Sequence, residues 1–406
     1  MSGTPELSRV ITLPLLVLYG LGITIGAGIY VLIGQTAAQA GIYAPMSFVV
    51  AAFVMAFSAG SFAEFSGRLP QAAGEAVFVK AGFNSELLSL ITGGIILLSA
   101  VVAAATIALG GTGYIVALTG LPTRPVVATV IALMGLIAIW GVKESVVFAG
   151  IFTIIEVLGL LVIVAAGFWQ SPDLLTRLPE VIPPVTDSAA LIAVFTTSLV
   201  AFFAFIGFDD VVNLVEETKN PVRTMPLAIM ITLVVATILY FLVAMVAVLA
   251  VPLDALAQST APISLMFETL TGVSPLMISL IAIVATLNGV IIQIVMASRV
   301  LYGMAKKGSL PKWFARVNSR THTPVLSTII ITGISGVLAL FFPIGKLAEL
   351  TTSLILVAFT LVNISLVILK LQKTSPPDGV YTVRIWVPIC GTISCVALLV
   401  GPYILR

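Results

Sequence analysis

The sequence predicts an all-α polytopic membrane protein with about eleven membrane-spanning helices. Of its 406 residues, 60% are hydrophobic and only 9% are charged, whereas soluble domains are about 25% charged. The chain also divides into eleven long apolar segments, and fifteen of its nineteen Lys and Arg residues fall on one side of the topology that these segments define. Lipid must therefore cover most of its surface.

The eleven apolar segments are each about long enough to cross a hydrocarbon core about 30 Å thick, which takes roughly 20 helical residues. No gap between them is long enough for a soluble domain, so residues 1–406 form a single membrane domain. The predicted spans 1 to 11 are residues 11–34, 44–66, 86–118, 123–141, 145–168, 189–213, 224–251, 274–303, 323–342, 347–370 and 384–405.

The positions of Lys and Arg predict the orientation, because cytoplasmic loops carry an excess of both. With a cytoplasmic N-terminus, fifteen cations lie inside and only Arg124, Arg177, Lys346 and Arg406 lie outside. No signal-peptide cleavage site follows the short polar N-terminus, so span 1 is expected to remain in the mature protein. We expect a multi-pass protein of the cell membrane, surrounded by lipid.

Composition argues against several other classes of protein. The net charge is +2, so no strong basic field indicates a nucleic-acid partner. The single histidine, His322, lies in a polar stretch, and the spacing of Cys390 and Cys395 fits no zinc or redox motif. We therefore expect no metal site, no cofactor and no catalytic residues, and the protein is not expected to be an enzyme.

Span 1 contains four glycines, at positions 20, 22, 26 and 28. Glycine costs about 1 kcal/mol relative to alanine inside a helix, but it permits unwinding and lets a ligand approach the backbone. Close packing of small residues between helices is the other explanation. On its own, the run leaves both interpretations open.

Span 6 offers a second interruption. Aromatic residues surround Gly207, and Asp209 and Asp210 follow within an apolar segment. Span 6 comes five spans after span 1, and interrupted helices at corresponding positions of two halves mark the binding site of inverted-repeat transporters. We therefore predict a core of two inverted five-helix repeats, residues 11–168 and 189–370, with discontinuous helices 1 and 6 and an additional helix at 384–405.

Two broken helices suit an amino acid as substrate. Unwinding exposes amide N–H groups at one new helix end and carbonyl groups at the other. The N-terminal end attracts a carboxylate, and free carbonyl groups accept hydrogen bonds from an ammonium group. A zwitterionic amino acid needs both, and the backbone supplies both without charged side chains.

Three stretches of the chain resemble the amino acid–polyamine–organocation transporter superfamily, and most of all its cationic amino acid transporter branch and related bacterial permeases. These stretches are residues 22–30, residues 62–75, and residues 203–209 with 216–221. The resemblance covers nearly the whole chain and implies secondary active transport by alternating access. Residues 70–83 match a loop that folds as a helix on the cytoplasmic face. Most members have twelve spans, and this sequence has eleven.

The resemblance also implies roles for particular residues. The amides of Gly26, Ala27 and Gly28 are expected to hold the substrate carboxylate. The carbonyls of Ile23, Phe203 and Ile206 are expected to hold its ammonium group, beside Ala204. The ring of Phe203 matches an outer gate, unless it serves ordinary helix packing. Candidates for a charged inner gate, or alternatively for solvated loop charges, are Glu64, Arg68, Glu75 and Glu216.

Span 3 departs from the cationic branch. Where members similar to that branch carry an acidic residue, this sequence has Ser99. A cationic side chain in an apolar pocket needs a partner, because an isolated buried charge is very costly. We therefore predict a neutral amino acid, contacted through Ser99 and Thr106. A cationic amino acid or polyamine transporter or exchanger is the alternative.

Glu156, in the middle of span 5, stands where several proton-coupled relatives have a lysine. A carboxylate within the membrane is a functional hypothesis by default. It could be a proton site, it could bind sodium with carbonyls of span 1, or it could hydrogen-bond to Thr286 or Asn288. We expect proton coupling, with sodium as the alternative. Asp209 could contact backbone freed by the break or join the proton path.

Rival functions remain at this point. A carrier of a nucleobase or halide would share the fold, and a receptor or scaffold role is not excluded. A channel should show a repeated pore motif or a ring of like side chains, and the sequence has neither.

Overall fold

The protein folds as a bundle of long helices. The computed structural model describes residues 9–70, 74–141, 146–306, 308 and 310–405. Its α-helices are α1 (Leu13–Ala27), α2 (Ile29–Ala40), α3 (Ala44–Arg68), α4 (Gly74–Phe83), α5 (Glu86–Thr119), α6 (Thr123–Trp140), α7 (Val146–Gln170), α8 (Ser188–Phe202), α9 (Pro221–Ala250), α10 (Leu253–Gln258), α11 (Pro262–Thr271), α12 (Leu276–Lys306), α13 (Val325–Phe341), α14 (Ile344–Leu371) and α15 (Trp386–Leu405).

Six short 3₁₀ helices complete the helical structure of these residues. They are Gly41–Tyr43, Pro172–Leu175, Leu178–Val181, Phe203–Phe205, Asp209–Glu217 and Lys312–Ala315. The β pairing seen in the described chain is a single parallel bridge between Ile11 and Thr218. This bridge joins the start of span 1 to the end of span 6, because Ile11 N donates to Glu217 O and Lys219 N donates to Ile11 O.

All eleven predicted spans are helical over most of their described length. Nine helical stretches of the described residues are long and apolar enough to cross a bilayer, and one of these, Ile29–Arg68, contains both α2 and α3. The apolar helices Leu13–Gly26 and Val325–Phe341 are shorter. The prediction of an all-α polytopic fold is confirmed. Residue 145, the predicted start of span 5, lies outside the described residues.

Side-chain caps and glycines fix the ends of the long helices. The hydroxyl of Ser85 accepts a hydrogen bond from Leu88 N at the start of α5, and Asp187 caps α8 by accepting from Ala190 N. Such caps satisfy amide groups that the first helical turn leaves without a partner. Gly120 ends α5 with φ +69°, a conformation in which glycine has no steric penalty.

Helices five spans apart pack against each other. Span 2 (α3) contacts span 7 (α9), span 3 (α5) contacts span 8 (α12), and span 4 (α6) contacts span 9 (α13). Small residues allow close approach: Gly111 of α5 faces Thr286 of α12, and Gly135 of α6 faces Thr332 of α13. This pairing agrees with two five-helix halves, whose boundaries stay a prediction.

A cluster of phenylalanines fills one end of the bundle. We call this end, where α3 and α14 finish and α9 begins, the basic end, and the other the opposite end. The rings of the cluster are almost completely buried, and the centroids of contacting rings lie 4.6–5.7 Å apart. The members of this phenylalanine cluster are Phe62 and Phe65 of α3, Phe78 of α4, Phe208 beside the break in span 6, and Phe359 of α14.

A buried ion cluster joins the last two spans to α3 at the basic end. The carboxylate of Glu64 is fully buried and accepts hydrogen bonds from Arg68 Nε at 2.8 Å, Lys370 Nζ at 2.7 Å and Val383 N at 2.8 Å. Lys370 Nζ also donates to Val383 O at 2.6 Å. This ion cluster fixes the segment between α14 and α15 against α3.

Replacement of Lys370 by methionine should destabilise the protein by about 3 kcal/mol, the lower end of the range for breaking a buried ion pair, because Arg68 still contacts Glu64. The measurement is the melting temperature of the purified variant in detergent.

The matched control is Lys80→Met, since Lys80 pairs with Glu86 and both side chains are at least half exposed. Exposed pairs contribute about 0–1 kcal/mol, so this variant should melt close to the wild type. Equal melting temperatures for the two variants would contradict a stabilising role for the ion cluster.

Candidate functional site

Span 6 is interrupted over several residues. α8 ends at Phe202, a 3₁₀ turn covers Phe203–Phe205, Ile206 is extended, and Gly207 has φ +119°. Only glycine adopts such a φ without strain. The side chain of Asp209 stabilises the interruption, because its Oδ1 accepts a hydrogen bond from Gly207 N at 2.9 Å.

Span 1 is interrupted at one residue only. Gly28 separates α1 from α2, and its φ of −87° and ψ of −65° remain near helical values. Its carbonyl accepts from Leu32 N at 3.0 Å, so the turn after it is helical. Of the four glycines that suggested unwinding, Gly20 and Gly22 instead face threonines of neighbouring helices, Thr232 and Thr153. Gly20 and Gly22 therefore serve close packing between helices, whereas Gly28 lies at the interruption.

The two interruptions touch each other. A methyl group on Gly28 would overlap Ala204 Cα and lie 2.5 Å from Ala204 Cβ, so the backbones of spans 1 and 6 are in contact. Gly207 in turn faces Ile23 of α1. Gly28, Ala204, Ile23 and Phe203 are all buried, and Ile206 is half-buried. The structure thus brings Ile23 and Gly28 of span 1 to span 6, whereas Gly26 faces Glu156 instead.

The helix end that can receive a carboxylate lies slightly further along span 1 than the sequence predicts. Gly26 and Ala27 still belong to α1, so the amide groups at the start of α2 are those of Gly28 and the residues after it. On span 6, the carbonyl of Phe203 already accepts from Ile206 N at 3.1 Å. A carbonyl oxygen has two lone pairs, so it can accept a second hydrogen bond.

Tyr240 of α9 connects the two interruptions. Its buried hydroxyl lies 2.8 Å from Thr24 O of span 1 and 2.9 Å from Ala204 O of span 6, and it can donate to either. Sequence reasoning missed this residue. The one available signal is that a tyrosine in an apolar span must find a partner for its hydroxyl group.

Glu156 lies beside the interruption in span 1. Its side chain is 3% exposed, and a methyl group on Gly26 would lie 3.3 Å from Glu156 Oε2 and 3.4 Å from Ala285 O of α12. Oε2 has no hydrogen-bond partner among the described residues. The carboxyl group is thus held between α1, α7 and α12, where a proton or a cation would complete its contacts.

The predicted structural partners of Glu156 do not bond to it in the described chain. The hydroxyl of Thr286 donates to Ala282 O at 2.8 Å within its own helix and faces Gly111. Asn288 is half-buried two residues further along α12. The backbone carbonyl of Glu156, in contrast, accepts a hydrogen bond from Tyr30 Oη of α2 at 2.8 Å.

Ser99 and Thr106 of α5 are buried, and each hydroxyl donates to a carbonyl of its own helix, Ile96 O and Val102 O respectively. Next to them, other residues of α5 and α12 form an apolar cluster that contains Phe203. Phe203 is therefore packed among apolar side chains of this cluster.

The four predicted inner-gate residues form two groups at the basic end rather than one. Glu64 and Arg68 belong to the ion cluster with Lys370. Glu75 of α4 instead lies near Asp209, and both carboxyl groups are buried. Burial, and then the charge of Asp209, raise the pKa of Glu75 well above its usual value. Glu216, the fourth candidate, is half-buried near the end of the 3₁₀ helix Asp209–Glu217.

Comparison with known proteins gives consistent matches along the chain. The family model described as amino acid permease matches residues 11–405. A protein named cationic amino acid transporter 3, mitochondrial, from Arabidopsis thaliana is 33% identical over 92% of this chain and 64% of its own length. The branched-chain amino acid permease BcaP of Bacillus subtilis is 30% identical over 93% of this chain and 84% of its own length.

A methylthioribose transporter of Bacillus subtilis is also 30% identical, over 97% of this chain and 87% of its own length. The chain spans less than two thirds of the length of three Arabidopsis cationic amino acid transporters that it matches, 61% to 65%. The names of these relatives thus cover cationic amino acids, branched-chain amino acids and a thiosugar.

Replacement of Gly28 by alanine should destabilise the protein by about 1–3 kcal/mol, the usual range for overpacking, because the added methyl group overlaps the backbone of Ala204 and forces spans 1 and 6 apart. The measurement is the melting temperature of the purified variant in detergent.

Gly333→Ala is the matched control, because a methyl group at this exposed position of α13 meets nothing within 4 Å. Alanine is about 1 kcal/mol better than glycine in a helix, so this variant should melt no lower than the wild type. An unchanged melting temperature of Gly28→Ala would argue against the contact between the two interruptions.

Proposed function

Because the chain belongs to the amino acid permease family, we propose that it is a secondary active transporter that takes up neutral amino acids by alternating access. The observation that supports this best is the contact between the interruptions at Gly28 and Ala204. There the start of α2 offers amide groups to a carboxylate, and the carbonyls around Phe203 and Ile206 are available to an ammonium group.

A neutral side chain fits the surroundings of this site. The position on span 3 that would carry an acid holds Ser99, and Phe203 packs in an apolar cluster of α5 and α12. A cationic side chain would have to leave water without an acidic partner there, which is costly. Glu156 lies on the other side of α1, next to Gly26. A cationic amino acid or polyamine remains the alternative substrate class, which the names of the plant relatives favour.

Proton coupling is proposed to depend on Glu156. Its buried Oε2, without a hydrogen-bond partner among the described residues, is suited to bind and release a proton as the contacts of α1 change. A protonated carboxyl gains a donor that can reach a nearby carbonyl, and Ala285 O faces the same point of α1. Sodium, coordinated by the carboxylate and such carbonyls, is the alternative ion.

Alternating access is proposed to use different closures at the two ends. We assign the basic end to the cytoplasm, following the excess of Lys and Arg, and propose the cell membrane as the location. The phenylalanine cluster and the Glu75–Asp209 pair then close the inner side. Phe203 is proposed to cover the substrate from the outer side. Residues 11–168 and 189–370 are proposed as the two repeats, with 384–405 outside them.

Uptake by the purified protein in proteoliposomes tests the proposed function. Labelled leucine should accumulate above equilibrium when the lumen is made alkaline relative to the outside. Unlabelled alanine should compete, whereas arginine and glutamate should not. Empty liposomes are the control, and stronger competition by arginine than by alanine would overturn the assignment of a neutral substrate.

Replacement of Glu156 by glutamine should remove the response of leucine uptake to a pH gradient, because the amide keeps the size of the side chain but cannot take up a proton. Exchange of internal for external leucine, which needs no net proton movement, should persist. The control is the same pair of measurements on the wild type with sodium replaced by potassium. Undiminished dependence on pH in Glu156→Gln would remove this residue from coupling.

A further inference from the structure

Glu156 is in contact with both halves of span 1. Its carboxyl group faces Gly26 near the end of α1, where a methyl group would lie 3.3 Å from Oε2. Its backbone carbonyl accepts a hydrogen bond at 2.8 Å from the hydroxyl group of Tyr30, in the first turn of α2. The interruption at Gly28 lies between these two contacts. A single residue of α7 is therefore linked to the helix before the interruption and to the helix after it.

Tyr30 is fixed from two directions. Its side chain is fully buried, and Tyr114 Oη of α5 donates to Tyr30 O at 2.5 Å. Tyr30 thus donates through its side chain to α7 and accepts through its backbone from α5. Gly159, about one helical turn after Glu156, leaves room for the hydroxyl group, because a methyl group there would lie 3.1 Å from Tyr30 Oη.

The hydrogen bond of Tyr30 joins two helices that otherwise have little contact. α2 packs mainly against α8 and α10, and α7 packs mainly against α1 and α9. Tyr30 comes two residues after Gly28, so at 1.5 Å per residue it lies about 3 Å along α2 from the amide groups proposed to hold the substrate carboxylate. The position of those amide groups relative to Glu156 therefore depends on this hydrogen bond.

The surroundings of Glu156 are otherwise uncharged in the part of the chain that the structure describes. The titratable side chains near it are Tyr30 of α2 and Tyr240 of α9. α1 has no charged side chain, and the charged residues of α9 and α12 lie in the first turn of α9 and the last turns of α12. Glu268 of α11 and Asp173, just after α7, are exposed. A change of charge at Glu156 therefore acts mainly on neutral backbone groups and on the two tyrosines.

We infer that Tyr30 is a positioning residue that transmits the protonation of Glu156 to the substrate-binding end of α2. The inference rests on the proposed function, because it takes proton coupling at Glu156 as given. A protonated carboxyl group donates a hydrogen bond, whereas a carboxylate only accepts, so the contacts of Glu156 with α1 and with Ala285 O of α12 differ between the two states. Tyr30 holds α2 on the same residue, so α2 follows when those contacts change.

The hydroxyl group of Tyr30 is then needed neither to bind the substrate nor to bind the proton. It makes one event depend on the other, since protonation of Glu156 brings the amide groups of α2 into the position that binds a carboxylate. By reciprocity, a bound amino acid raises the affinity of Glu156 for a proton. Without the hydroxyl group, both events still occur, but the coupling between them is weaker.

The dependence of the leucine KM on pH tests the inference. Uptake into proteoliposomes is measured at one acidic and one alkaline pH, and the wild type should show the lower KM at the acidic pH. In Tyr30→Phe the ratio of the two KM values should fall toward one, by up to about fivefold, the factor that corresponds to one lost hydrogen bond. A purely structural role would change both KM values by the same factor and leave their ratio unaltered.

Tyr403→Phe is the matched control, because Tyr403 is exposed on α15 and its hydroxyl group has no hydrogen-bond partner among the described residues. This variant should keep the wild-type ratio. If Tyr30→Phe does not fold, Tyr114→Phe takes its place, because it removes the hydrogen bond to Tyr30 O, and its ratio should also fall. An unaltered ratio in the folded variant would overturn the inference and leave the proposed transport of amino acids standing.

Two further outcomes concern the wild type. A leucine KM that does not respond to pH would overturn proton coupling and this inference together, while uptake itself still supports a transporter. Absence of uptake of every amino acid would refute the proposed function, and the inference with it.

Discussion

The contact of two backbones, at Gly28 and Ala204, is the constraint on which the site depends. Within a bilayer, every backbone polar group must find a partner in the protein, so helices can be interrupted only where other groups take over. Here Asp209 holds the amide of Gly207, and Tyr240 reaches carbonyls on both spans. The interrupted pair is stable because Gly28 has no side chain at the crossing, while the side chains of Asp209 and Tyr240 bond to backbone groups around it.

The two ends of the bundle contain different kinds of residues. Toward the basic end, aromatic rings and the buried carboxyl groups of Glu75 and Asp209 lie between α3, α4 and the part of span 6 after its interruption. Toward the opposite end, amides and an ion pair line an open cleft. Glu156 is buried between these two ends, where α1, α7 and α12 meet.

Hydrophobicity alone predicted the spans, since each needs about 20 apolar residues and charged loops mark their ends. The interruption in span 6 was also predictable, because a glycine followed by two acidic residues is costly in a continuous apolar helix. The interruption in span 1 was harder to predict. A glycine that packs against a threonine side chain and one that packs against another backbone look the same in the sequence. Gly22 and Gly28 differ only in what faces them.

Contacts between distant parts of the chain could not be predicted. Tyr240 lies 216 residues from Thr24, and Lys370 lies 306 residues from Glu64. The position of Glu64 in a motif of the family suggested a gate. Its partners Lys370 and Val383, however, depend on how α14 and the segment before α15 pack against α3. The carboxyl group of Glu75 likewise needed the fold to reveal Asp209 as its neighbour. Pairwise geometry, unlike span length, has no local signature.

The ion cluster around Glu64 also bears on how the chain is made. Helices enter the membrane in order from the N-terminus, so Glu64 and Arg68 are inserted together and satisfy each other at once, four residues apart. Lys370 and Val383 arrive only after more than 300 further residues have been synthesised. The bundle therefore remains incompletely assembled until its last helices emerge from the ribosome, and a nascent chain cut short before them leaves a buried carboxylate with one partner.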